Sequence, residues 1–447
     1  MSQGPVADVI VIGAGIIGAA CAHALAQRGL KVLVLDAGWH GATAAGMGHL
    51  LVLDDNPAEL ALSQYSLQRW RELAPALPES CAWRNNGTLW LAANAEEMAV
   101  AHSKYLNLLA HGEACELIGH ATLRQREPEL REGLEGGLLI KGDGILYAPA
   151  AARWMLDAAN IRQQRARASE VDGHRVRLDD GRWLSAEAVV LANGIQATEL
   201  CPELPIEPKK GHLLITDRYP ATVTHTLVEL GYVTSAHNAS GPSVACNIQP
   251  RPTGQLFIGA SRQFGTLDPQ VEGWMLAKML KRAVDYMPGL AQLNGIRAWT
   301  GFRAASPDGL PLVGQHPQRQ GLWLAVGHEG LGSQRRPQRL TCWSRNCSTK
   351  PHRWPLRLTC RSVSSENRSM PEVFLDGHPL SVANGTSVAA ALALGADGSS
   401  RTSVSGQRRA PVCGMGICQE CRVMIDGHRR LACQTVCRDG MQVQTRP

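Results

Sequence analysis

The first patterned stretch of the chain is apolar at every position. Val9–Ile12 has no alternation, which is how a strand buried on both faces reads. Small and apolar residues then continue to about Arg28 and stop at Gly29, predicting a helix that ends on a glycine. Lys31–Leu35 is a second short apolar run, closed by Asp36. Ser185–Ala197 predicts another buried strand, ending in Asn193-Gly194, and Pro208–Thr216 and Gly254–Ser261 read as further strands. Near the end, Met370–Val382 and Cys421–Cys433 each read as two strands around an Asp-Gly turn. Between these regions the pattern fails. Ser333–Ser369 has no helical period, no Gly and no Ala, but seven Ser and eight Arg.

The glycines between the first strand and helix change what that unit can do. Gly13, Gly15 and Gly18 form G-x-G-x-x-G. The first permits a tight turn, the second lets the backbone approach a pyrophosphate, and the third lets helix and strand pack closely. The helix N-terminus offers N–H groups and a positive dipole end to phosphates. Asp36, at the end of the second strand, suits the two hydroxyls of an adenosine ribose. Strand, glycine turn, helix and acid in this order predict a dinucleotide site, without separating FAD from NAD. The same glycines break Val9–Ala26, which would otherwise resemble a membrane span.

At 447 residues the chain has room for two or three domains. Its net charge of +6 is local, because Ser333–Ser369 carries eight Arg and one Lys against a single acid, Glu366. The basic balance therefore does not predict a nucleic-acid-binding protein. The apolar run at Val9 has no basic segment before it, so no signal peptide is expected. The thirteen cysteines are not spread like a disulfide framework, and a reducing cytoplasm is the expected location.

Four cysteines near the end have ligand spacing. Cys413, Cys418, Cys421 and Cys433 give C-x4-C-x2-C-x11-C, the plant-type 2Fe–2S arrangement with a distant fourth ligand. Gly414 and Gly416 let the loop wrap a cluster. Zinc in an S4 site is the alternative, but structural zinc sites more often use two C-x2-C knuckles, and this stretch has one. Cys437 is spare.

Three later motifs carry a family resemblance: the strand ending at Asn193-Gly194, "GFRAASPDGLPLVG" (Gly301–Gly314) and "GLWLAVGHEGLG" (Gly321–Gly332). Over about residues 7–332 the chain resembles the D-amino-acid oxidase superfamily of FAD enzymes. The resemblance implies an α/β fold in which a Rossmann-type FAD domain (1–332 overall) is interleaved with an antiparallel-sheet substrate subdomain, about 81–145 and 206–295. It implies that Thr43, Ala45, Gly46 and Met47 of "GATAAGMGHL" lie against FAD, with Ala192 and Gly194. It also implies that Gly327, His328, Gly330, Leu331 and Gly332 form the closing turn beneath the flavin. Arg303 matches the arginine that pairs with a substrate carboxylate, a job suited to its planar fork. His49 is expected to contact substrate, His328 to bond a loop, and Tyr232 to pack in the sheet. Residues 370–447 resemble the small β-grasp 2Fe–2S domain of multi-subunit amine and amino-acid dehydrogenases.

Together these imply hydride removal from the Cα–N bond of a small amino or imino acid, with electrons exported through the cluster rather than given to O2. "GATAAGMGHLLVLDD" looks most like the D-hydroxyproline dehydrogenase and opine oxidase branch. A glycine-oxidising flavoprotein of the hydrogen cyanide synthase type is the nearest rival. Further dehydrogenase subunits and an electron acceptor are expected partners; nucleic acid and a transmembrane segment are not.

The junction 333–369 has three readings: a basic arm for RNA or membrane, a flexible linker, or a stretch translated out of frame. The third is favoured. Shifting the frame by two bases turns Cys-Trp and Asn-Cys into Leu and Trp-Pro into Ala. With free choice of codons the window can read "TTAPATAHLLVAELL…ALAPYLP", an amphipathic helix and a short tail. Met370 would then begin a separate protein, and the chain as written would lack the helix that the resemblance implies after "GHEGLG", with its N-terminus facing the flavin. A separate alternative to a working dehydrogenase is the product of a broken gene in which only the electron-carrier domain functions.

Overall fold

The computed structural model describes residues 5–231, 241–329, 371–382, 386–395, 398–403, 407–411 and 420–445. The whole junction 333–369 lies outside them, as do Tyr232, Gly330, Leu331, Gly332, Met370, Cys413 and Cys418. The protein divides into two compact units, Met1–Val363 and Ser364–Pro447.

The first unit is built on two large sheets. One runs, in spatial order, Leu312–Gln315, Leu322–Val326, Trp183–Leu191, Ala7–Ile12, Val32–Asp36 and Ile161–Arg165. Its inner pairings are parallel, with Val9–Ile12 opposite Ala188–Leu191 on one side and Val32–Leu35 on the other. Helix Ile16–Ala26 covers one face of it, and every residue of that helix is buried. This is why the first strand is apolar throughout: its alternate side chains enter two different apolar clusters, Val9 and Val11 in one, Ile10 and Ile12 in the other.

The second sheet draws its strands from two stretches of chain, 88–140 and 207–305. Its order is Gly295–Ala305, Glu207–Arg218, Gln255–Arg262, Ser243–Pro250, Thr226–Glu229, Thr88–Ala92, Gly136–Ile140 and Cys115–Gly119. Neighbours are antiparallel except at one seam, where Thr226–Glu229 runs parallel to Thr88–Leu91. The exception falls where the two stretches meet. No hairpin joins those strands, so nothing forces them antiparallel.

The second unit carries a five-stranded sheet, ordered His378–Ser381, Glu372–Leu375, Gln442–Gln444, Arg422–Ile425 and His428–Leu431. Both expected hairpins form. Asp376 and Gly377, and again Asp426 and Gly427, have positive φ at both turn positions, the type I′ geometry that Asp-Gly favours.

Candidate functional site

The dinucleotide end is shaped by backbone contacts that leave no space for side chains. Gly13 has φ +106°, and a Cβ there would lie 2.6 Å from the Ala192 carbonyl oxygen. A Cβ on Gly18 would lie 1.9 Å from the Gly13 carbonyl oxygen. Asp36 accepts the Ala14 N–H on one carboxylate oxygen (2.7 Å) and the Gly38 N–H on the other (2.6 Å). It thereby holds the glycine turn against the end of its own strand. Thr43 Oγ1 accepts the Ile16 N–H at the start of the helix (2.9 Å). Thr43 and Asp36 thus organise the turn, and Gly15 is narrow enough to let Thr43 approach.

The loop Gly41–His49 joins this turn to the second sheet. Trp299 Nε1 donates to the Ala45 carbonyl (3.1 Å), and Gly301 must lack a side chain because its Cβ would sit 2.3 Å from that of Ala45. Met47 is buried, with its sulfur against Gly259. A cavity of about 1560 Å³ results. It is lined by the glycine turn, by Thr43, Ala45, Gly46, Met47, Ala192 and Gly194, and by Arg303, Gly327 and His328.

The second sheet contributes to that cavity's wall, where Lys209, Gly211 and Leu213, Ala260 and Arg262, and Gly301 and Arg303 are among the lining residues. Arg303 Nη1 donates to the Ser261 carbonyl (3.1 Å), and its guanidinium lies over Gly211, where a Cβ would meet Nη1 at 2.8 Å. Lys209, opposite Arg303 in register, donates to Glu329 at 2.5 Å. Burial lowers the Lys209 pKa, Glu329 opposes that, and Arg262 and Arg303 add to it. Burial alone would raise Glu329, but Lys209 and the two arginines hold it below its usual value, so the pair is ionic. Lys209, Arg262 and Glu329 were not foreseen. The alternation in "PKKGHLLIT" assigns Lys209 to the face of Gly211, but nothing in it says that face is a cavity.

His49 lines the cavity and is clamped. Its Nδ1 is 3.0 Å from Gln249 Nε2 and its Nε2 is 3.1 Å from Asn247 Nδ2. A neutral imidazole has one donor and one acceptor. Gln249 Oε1 already accepts from Arg251 Nη1 (2.8 Å), so the Gln249 N–H donates to Nδ1 and Nε2 carries the proton. The Asn247 carboxamide oxygen must then be the atom facing Nε2. That assignment also supplies a partner for an oxygen otherwise buried without one. Burial, reinforced by the Arg251 charge and opposed by the Asn247 bond, pushes the His49 pKa down to about 4. His49 is therefore neutral at pH 7 and suits a fixed polar contact better than proton shuttling. His328, buried, follows Gly327 in the cavity wall.

In the second unit the Cys421 and Cys433 sulfurs are 3.2 Å apart, close enough to serve one iron. Cys421 is buried and its thiol pKa is raised, chiefly by burial, so ligation of a metal would release a proton there. Spare Cys437 is also buried in the core. Elsewhere Cys201, Glu203 and His316 approach one another at metal-ligand range. Arg319 already pairs with Glu203 (2.9 Å), and backbone N–H groups of Gln318 and Arg319 occupy His316 Nδ1, so this is a closed protein network.

Comparison with known families agrees with this geometry. Residues 8–334 match the DAO family, described as FAD dependent oxidoreductase. The chain belongs to that family. Residues 369–447 match the 2Fe-2S iron-sulfur cluster binding domain. The protein is thus an FAD- and 2Fe–2S-dependent oxidoreductase, and the stretch between the two matches, 335–368, falls within the basic junction. Glycine oxidase of Geobacillus kaustophilus is 31% identical over 72% of this chain and 87% of its own length. One of the subunits of opine oxidase from Rhizobium meliloti is 24% identical over 72% and 89%. The HcnC subunit of hydrogen cyanide synthase from Pseudomonas aeruginosa is 24% identical over 73% and 88%. The crystal structure of the Geobacillus glycine oxidase superposes with a TM-score of 0.67 at 28% identity, over 75% of this chain and 92% of that one. Among the described residues, no helix is long and apolar enough to cross a membrane.

The residues present fit FAD. The glycine turn is closed to side chains where a pyrophosphate would lie, and the cavity continues from it, without a wall, to the cationic face of the second sheet.

Proposed function

We propose that the protein is a dehydrogenase that oxidises the Cα–N bond of a small D-amino or imino acid, hydroxy-D-proline being the leading candidate, and passes the electrons to its own 2Fe–2S cluster. The observation that carries this reading is Arg303, fixed by Ser261 and set over Gly211 in the wall of the same cavity that the glycine turn lines. A carboxylate held there by the guanidinium fork leaves the neighbouring Cα facing back along the cavity. When bound, FAD supplies the hydride acceptor. Lys209, Arg262 and Arg303 make the local potential positive, which favours the neutral amine over the ammonium form. Neutral His49 adds no charge to the wall, and Leu51, Leu213 and Val228 keep part of it apolar.

An electron carrier in the same chain supports export to a protein acceptor over direct use of O2. In this reading residues 1–332 are the oxidoreductase, 370–447 the electron carrier, and 333–369 an out-of-frame join. Further subunits complete the system in the cytoplasm; two of the relatives are themselves named as subunits.

A second substrate reading rests on one observation. Lys209 and Arg262 lie beside Arg303 with Glu329 as the acid among them, which suits a secondary amine carrying two carboxylates, as in an opine. A dye-linked assay with hydroxy-D-proline, D-proline, an N-(carboxyalkyl) amino acid and glycine separates the readings. Hydroxy-D-proline is expected to give the highest kcat/KM. A faster dicarboxylate favours the second reading, and glycine as best substrate contradicts both.

A further inference from the structure

The iron–sulfur unit carries its charge unevenly. Residues 401–438 hold seven arginines, and their acids are Glu420 and Asp426. From 370 to 447 there is no lysine at all. Asp376, Asp426 and Asp439 are engaged in backbone capping: they accept the N–H groups of Thr445, Gln442 and Glu372.

The arginines gather towards the ligand cysteines. Arg422 directly follows Cys421, and Arg429 and Arg430 are exposed on the edge strand His428–Leu431 that leads to Cys433. A two-stranded ribbon sets Arg401 directly opposite Arg409. This ribbon is tied to the residue before Cys421, because Ser400 Oγ donates to the Glu420 carbonyl (2.7 Å) and Arg401 pairs with the Glu420 carboxylate (2.8 Å).

Keeping strands from pairing at an open edge accounts for Arg429 and Arg430. It does not account for Arg401 facing Arg409, since like charges directly opposite on a ribbon are destabilising. Glu420 offsets Arg401, while Arg409 is exposed. Exclusive use of arginine points the same way: its fork pairs with carboxylates bidentately, and it is enriched at protein interfaces.

We propose that the exposed arginines beside Cys421 form the docking surface for an acidic one-electron acceptor protein, whose carboxylates meet Arg409 and Arg430. The proposal rests on the electron-export reading above. Each C–N bond oxidised releases two electrons and two protons; two acceptor molecules take one electron each, and the protons go to water.

The test uses the purified full chain and two haem proteins of opposite charge as probes, acidic cytochrome b5 and basic cytochrome c. Binding is measured at low and high salt, and oxidation of the dithionite-reduced chain by stopped flow. Cytochrome b5 is expected to bind and to react faster at low salt, losing at least about tenfold as salt rises, with cytochrome c behaving oppositely. Arg409→Glu and Arg430→Glu should each weaken cytochrome b5 binding several-fold, and together about tenfold or more. Arg409→Glu should leave Tm unchanged or higher, because it replaces a repulsive pair. Equal binding of both cytochromes, or unchanged cytochrome b5 binding in the double variant, overturns the proposal. So does a shifted cluster potential with unchanged binding, which would make the arginines tuners of the cluster. Charge-selective binding with no substrate able to reduce the cluster would leave the surface standing and remove the export reading.

Discussion

The flavin unit has three buried apolar clusters among its described residues; two contribute to the wall of the cofactor cleft, the third does not, and none needs the cofactor to be complete. Among its described residues the iron–sulfur unit has one, and Cys421, the proposed ligand, and Cys437 are part of it. A large core can hold a cleft open and wait for its cofactor. A small core with metal ligands inside it gains a share of its stability from the metal, so folding and cluster binding are linked. The first unit should therefore tolerate loss of FAD, and the second should not tolerate loss of its cluster.

The sharpest way to break that contrast is Cys421→Ala. Iron and sulfide content should fall to near zero, and transfer to a protein acceptor should drop by about three orders of magnitude or more. Thermal unfolding should lose the small unit's transition while the flavin content stays unchanged. Retention of a cooperative transition for the apo small unit would remove the contrast.

Arg303→Leu acts on the other unit and on chemistry alone. Removing the partner of a bound carboxylate is expected to lower kcat/KM by about 100- to 1000-fold, roughly 3–4 kcal/mol, with an unaltered flavin spectrum. Arg303→Lys should recover only part of it, because an ammonium cannot engage both carboxylate oxygens in one plane. Steady-state kinetics with the preferred substrate checks both variants. Equal losses in Arg303→Lys and Arg303→Leu would point to a packing role.

The smallest effect is a pH dependence confined to the flavin unit. His49 is pushed down to about 4 in the folded protein, so between there and its ordinary range the unfolded chain binds a proton that the folded chain does not. Its contribution to stability is whole above about pH 6.5 and is lost as pH falls towards 4, by about 3 kcal/mol. His49→Gln should flatten that part of a denaturation-against-pH curve. Identical curves would mean that His49 is not clamped neutral.

Much of this architecture was readable beforehand, and for identifiable reasons. The first βαβ unit followed from an unbroken apolar run and three glycines, because burial on both faces and backbone-to-backbone contact each dictate residue type. The Asp-Gly hairpins followed from the two positive φ values that Asp-Gly supplies. Arg303 and His49 were identified through resemblance, and both reach the cavity wall. Their surroundings were not legible. The Arg251–Gln249–His49–Asn247 relay comes from alternate positions on one strand, and its hydrogen-bond directions depend on a loop two hundred residues away. The Lys209–Glu329 pair spans 120 positions and exists because the closing turn reaches the second sheet. The parallel seam at Thr226–Glu229 follows from tertiary assembly, which local patterning does not encode. Sequencing the DNA across codon 333 addresses the join directly: codons unable to yield the alternative helix would end the out-of-frame reading.

In the proposed function one chain carries electrons from an amino or imino acid through a flavin to an iron–sulfur cluster. The most direct test is an anaerobic visible spectrum of the purified full chain, before and after hydroxy-D-proline or the best substrate of the panel. Flavin bands together with sulfur-to-iron bands are expected, both bleaching when substrate is added. Iron–sulfur bands without flavin, or flavin bleaching while the cluster bands stay unchanged, would contradict it.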